Sequence, residues 1–174
     1  MKTTLNQIRA CHPCTSGWTK LLKTLDKTQA DDEPVSIIQI LDSNGLQDAL
    51  WCLRAVKDHD REIRLYMVWC ARQVQHLMKD PRSINALDVS ERFANGEATQ
   101  EELRIAHAAA ADAAADAAAD AAAADAAYAA YADAADAYAY AATYADAADA
   151  AYADARNKAR KAQEDELRRI CKKN

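Results

Sequence analysis

The chain has 174 residues and a formal net charge of −5, with three Gly, three Pro and five Cys. So little Gly and Pro excludes a collagen-like or flexible-linker chain, and an odd cysteine count argues against a secreted disulfide framework and for a reducing cytoplasm. The hydrophobic share of 51% is misleading, because 33 of the 43 alanines fall in residues 106–155, a window otherwise made of nine Asp, six Tyr, His107 and Thr143.

The N-terminal stretch MKTTLNQIRACHPC has no long apolar run, so it does not read as a secretory signal. Thr4-x-x-Gln7 fits a capping box at a first helix start. A second helix is expected from Thr15 or Ser16, presenting Trp18, Leu21, Leu22 and Leu25 at helical spacing. Asp31-Asp32-Glu33-Pro34 reads as a third start, with Pro34 in the first turn and a stop at Asn44-Gly45. A fourth helix is expected from Leu46 to Val56, with Leu50, Trp51 and Leu53 available for the core.

The strongest periodicity follows Asp60 and extends to about Lys79, with Ile63, Tyr66, Met67, Cys70, Val74, Leu77 and Met78 in one stripe. Asp80-Pro81 starts a sixth helix that ends at Asn95-Gly96, a good left-handed stop. No segment sustains a period of two, so no sheet is expected. Thr99-x-x-Glu102 is a second capping box, and beyond Gly96 the chain has neither Gly nor Pro. Alanine has the highest helix propensity, so helix is nearly forced through the window. The Asp positions hold no five-residue phase, which excludes a pentapeptide β-helix, and one Thr does not make an ice-binding array.

These signals describe an all-α chain: a head of about six short helices over residues 1–98, then a long Ala-rich helical arm over 99–174. Tyr128, Tyr131 and Tyr138 share one helical side, while Tyr140 and Tyr144 fall on the other. That phase change suggests a break near residues 138–143 and an antiparallel hairpin. A continuous helix passing between neighbours is the alternative. No stretch of about 20 apolar residues is free of charges, so no membrane span is expected.

Charge partitions more sharply than the total implies. Residues 1–98 carry thirteen basic and thirteen acidic side chains. Residues 99–154 carry Arg104 against eleven acids, and residues 155–174 carry eight bases against three acids. The acidic zone supplies the candidate binding residues, Asp112, Asp116, Asp120, Asp125, Asp133, Asp136, Asp146, Asp149 and Asp154. The first three step by four residues, about 6 Å along a helix, comparable to the spacing of phosphates along a nucleic-acid strand. Such a stripe repels nucleic acid and attracts proteins with basic grooves. The plainer reading is a tightly packed Ala/Tyr seam with Asp as its solvated outer face. The basic end, Arg156 to Lys173, is expected to favour a helix C-terminus and to pair with the Asp face.

Cys11-His12-Pro13-Cys14 has C-x-x-C spacing but no preceding strand to support thioredoxin-like chemistry. As a half-site for metal it lacks a second pair; Cys52, Cys70 and His76 could join only in three dimensions. Cys11 and Cys14 are therefore weak metal candidates, and no cofactor is expected. His59 reads as an interhelix turn, His107 as a helix-face residue, and Trp18, Trp51 and Trp69 as core anchors. There is no Gly-rich phosphate loop, no H-E-x-x-H and no nucleophile elbow, so the chain reads as non-enzymatic.

The segments DDEPVSIIQILDSNGLQDALWCLRAV and HDREIRLYMVWCARQVQHLMKDPRSINALDVSERFANGEAT resemble the phage and bacterial immunity-protein family, over roughly residues 1–105. Relatives of that kind carry Ala-rich tails with mixed Arg, Asp and Trp insertions, whereas the insertions here are almost purely Asp and Tyr. The resemblance implies a small cytoplasmic protein that neutralises another macromolecule, and it assigns no catalytic residues. The resulting expectation is an inhibitor of a CRISPR effector, a restriction enzyme or a toxin nuclease, acting as a DNA mimic on a protein partner with a basic nucleic-acid-binding surface. It would make no direct contact with nucleic acid or membrane. Two alternatives stay open: an assembly protein, such as a homodimer joined through Ala/Tyr faces, and a small metal or redox protein built on Cys11 and Cys14.

Overall fold

Each of the first two strands of this chain runs straight into a capping box. In the computed structural model, which describes residues 1–78, 80–117 and 153–172, β1 (Lys2–Thr4) leads into α1 (Leu5–Ala10). The Thr4 hydroxyl accepts from the Gln7 amide, and the Gln7 side chain accepts from the Thr4 amide at 2.9 Å. β2 (Pro34–Ser36) leads into α3 (Ile37–Asn44) with the same reciprocal pair between Ser36 and Gln39. The two strands are antiparallel, with Lys2 opposite Ser36, Thr3 opposite Val35 and Thr4 opposite Pro34.

This ribbon corrects two expectations. A sheet is present, though it holds only three residues per strand, too few for alternation to be read. Pro34 is a strand residue and not a first-turn residue; a two-stranded ribbon is all edge, where its missing N–H is tolerated. The helix begins at Ile37, whose amide donates to the Met1 carbonyl at 3.2 Å. The acidic run before it serves another purpose. Asp31 accepts from the Glu33 amide, and Lys27 pairs with both Asp31 and Glu33. The Lys27 hydrogen bond holds the Asp31 carboxyl below its ordinary range, and its two carboxylate partners raise Lys27.

Between the ribbon strands lies α2 (Thr15–Thr24), starting where expected, with Leu21 buried. Gly45 ends α3 and precedes α4 (Leu46–Cys52) at φ 96°, a conformation that favours glycine. A 3₁₀ turn over Leu53–Ala55 completes this stretch, so the expected fourth helix is shorter and tightens at its end.

The described residues divide into two compact units. One joins residues 1–59 to α8 (Ala153–Lys172), and the other holds residues 60–117. In the first unit Leu5, Ile8, Ile37, Ile40 and Leu50 are almost wholly buried, together with Leu167 of α8. The Met1 amino group donates to the Cys171 carbonyl at 3.3 Å, a cation placed at the negative end of α8. Arg168 pairs with Asp42 of α3.

The second unit is built from α5 (Asp60–Arg72), α6 (Pro81–Ala94) and α7 (Gln100–Ala117). Ile63, Tyr66 and Cys70 are buried as their spacing predicts. α5 stops at Arg72, short of the expected end near Lys79. The amides of Gln73 and Val74 turn to the carbonyls three residues back, and a 3₁₀ turn occupies Gln75–Leu77. Arg72 reaches Gln75, Asp88 and Glu91, which ties the broken end to α6. Met78 is buried after the turn, whereas Leu77 is half exposed.

α6 begins as the sequence indicates, with Pro81 at its first turn and the Asp80 side chain accepting from the Arg82 amide at 2.8 Å. Its end passes through Gly96 at φ 77°. The Thr99–Glu102 capping box then starts α7, which folds back along α6. The cross pairs Ser90 to His107 and Arg92 to Glu102 mark the antiparallel register. The chain is predominantly all-α, as read. The hairpin expected near residues 138–143 lies outside the described residues.

One hydroxyl in this unit stands without a partner: Ser83 Oγ on α6 is buried and makes no hydrogen bond. Ser83→Ala should therefore stabilise the fold by about 1 kcal/mol, since an unsatisfied buried hydroxyl carries its full desolvation penalty. Thermal unfolding should show the midpoint rise by about 2–4 °C. An unchanged or lower midpoint would mean that the hydroxyl is satisfied.

Candidate functional site

The seam between α6 and α7 decides which way the acidic residues face. Leu103, Ala106, Ala110 and Ala113 step by three, four and three residues, and all are buried. α6 brings Ala86 to the same buried cluster, along with Leu87 and Val89. Small residues on both sides let helix axes approach closely, and each alanine contributes little area at about 25 cal/mol per Å².

With about 100° of rotation per residue, Asp112 falls opposite this buried face, and it is exposed. Glu101 and Ile105 share that outer sector. Ile105 is 54% exposed, one of two large apolar side chains so placed among the described residues. Arg104, the lone base of the acidic zone, is engaged by Glu101 through two contacts of 2.6 and 2.8 Å. That pairing lowers the Glu101 carboxyl and raises the Arg104 guanidinium. Glu102 is likewise held low, first by the Thr99 amide and hydroxyl that form its cap. Among the described residues, no cation pairs with Asp112.

Of the nine acidic candidates, Asp112 and Asp116 lie on α7, one turn apart. Asp154 lies on α8, in the other unit. Asp120, Asp125, Asp133, Asp136, Asp146 and Asp149 fall outside the described residues. Most of the Asp face with which the basic end is expected to pair lies outside the described residues. Arg168 takes Asp42, Arg169 takes Glu166, and Lys161 takes Asp165 at 3.7 Å.

His107 has a role that its position alone did not disclose. Its Nε2 lies 3.2 Å from Ser90 Oγ, inside the helical seam. Only the α6 register could have shown this, because Ser90 is seventeen residues away. His59 occupies the turn before α5, as read. Trp18, Trp51 and Trp69 are half-buried. Arg54 stacks over Trp51 at 4.6 Å, and Trp69 stacks on Tyr66 at 6.4 Å.

The thiols are distributed unevenly. Cys11 closes α1 and is half-buried, while Cys14 precedes α2 and is exposed, 3.6 Å from Ser16 Oγ. Gly17 lies close beside them: a Cβ there would lie 2.8 Å from the Asp48 carboxylate and 3.2 Å from Cys14 Sγ, so those side chains would have to shift. Cys52 is buried, and burial, reinforced by the Asp48 charge, pushes its thiol up to about 12. Cys70 and His76, the other suggested ligands, belong to the second unit. Among the described residues, no group of three His, Cys, Asp or Glu side chains is placed to hold a metal ion. Brief alkylation with iodoacetamide near pH 8 should label Cys14 and leave Cys52 unmodified in the folded protein, as peptide mass analysis would show. Equal labelling would contradict this burial.

None of the described helices is long and apolar enough to cross a membrane. Comparison with family models, with curated proteins and with solved structures finds no match to this chain.

Proposed function

We propose that this chain is a non-enzymatic inhibitor, an immunity or anti-defence protein of the phage and bacterial kind, that acts in the bacterial cytoplasm by stoichiometric binding. Its partner is a protein with a basic nucleic-acid-binding groove, such as a CRISPR effector, a restriction enzyme or a toxin nuclease. The acidic helical surface occupies that groove in place of nucleic acid. One observation carries this reading: α7 turns Ala106, Ala110 and Ala113 inward and Asp112 outward, with the nearby Arg104 engaged by Glu101. Like charges at four-residue spacing destabilise an isolated helix by a few tenths of a kcal/mol per pair. The buried alanine seam holds the start of this helix in place against that repulsion.

Affinity capture from bacterial lysate, at low and high salt, tests the reading. Wild-type chain should retain a nucleic-acid-binding protein at low salt and release it as salt shortens the Debye length from about 10 Å to about 3 Å. Added duplex DNA should compete. The charge-neutral triple change Asp112→Asn, Asp116→Asn and Asp120→Asn should weaken retention about tenfold or more, roughly 1.4 kcal/mol. Salt-insensitive capture that survives the triple change would overturn the proposal.

A further inference from the structure

We draw no further inference here: the strongest candidate, the thiol pair Cys11 and Cys14 at the corner between α1 and α2 with the buried Cys52 within electrostatic reach, rests on spacing and electrostatic reach alone, with no third ligand converging on it among the described residues.

Discussion

Leu167→Ala should destabilise the first unit by about 2–5 kcal/mol, the range for deleting a buried leucine side chain. Leu167 is wholly buried although it sits in a stretch whose neighbours are mostly charged. Its helix, α8, is fastened at three points: the Leu167, Ile170 and Cys171 stripe, the Met1 amino group on the Cys171 carbonyl, and Arg168 on Asp42. The ion pair is partly exposed and contributes little by itself, so the apolar stripe should dominate. Trp18 and Trp51 both lie in the first unit. In a Trp69→Phe background their fluorescence reports that unit during urea unfolding. The expected result is a clear fall in the midpoint for Leu167→Ala and almost none for Lys158→Ala, an exposed position on the same helix. Equal midpoints for the two would mean that α8 is not part of this core.

Ala110→Asp should be more damaging than its modest change in size suggests, costing on the order of 3 kcal/mol or more. The native sequence carries Asp two residues later, at exposed Asp112, whereas Ala110 is wholly buried in the α6–α7 seam. A carboxylate at 110 would be desolvated among Ala106, Ala113 and the facing residues of α6. It would either remain charged at high cost or bind a proton. The fold should therefore be weakest above the raised carboxyl pKa and should recover in part as pH falls. Ala108→Asp, at an exposed position of the same helix, should leave stability within about 0.5 kcal/mol. Circular dichroism melts of the two variants separate these outcomes. Equal melts would show that the Ala face is not a packed seam.

Much of the fold could be read from local chemistry. The capping boxes at Thr4 and Thr99, the Asp80-Pro81 start and the Gly45 and Gly96 stops all act within one helical turn, and all are found in the structure. The inward set of α5 was legible because Ile63, Tyr66 and Cys70 repeat at helical spacing. The ribbon was not legible: three residues show no period, and residues 2–4 meet residues 34–36 only when the chain folds back. The early end of α5 was hidden for a related reason, since Arg72 is drawn to Asp88 and Glu91, carried on another helix.

The candidate site divides the same way. The charge partition and the four-residue step from Asp112 to Asp116 are properties of the chain in order, so the sequence alone disclosed them. Composition divides the chain at residue 98. Packing groups the described residues otherwise, placing α7 with α5 and α6, and α8 with the first 59 residues.

By itself, then, the sequence determined that the chain is predominantly helical, several of the helix starts and stops, and where negative charge accumulates, because each depends on neighbours within one or two turns. Tertiary structure alone decided that Ala110 faces inward and Asp112 outward, that His107 meets Ser90, and that a basic tail buries Leu167 against the N-terminal helices. Those outcomes depend on which distant surface each helix meets, and an alanine-rich helix offers nearly the same residue on every side until a partner selects one face.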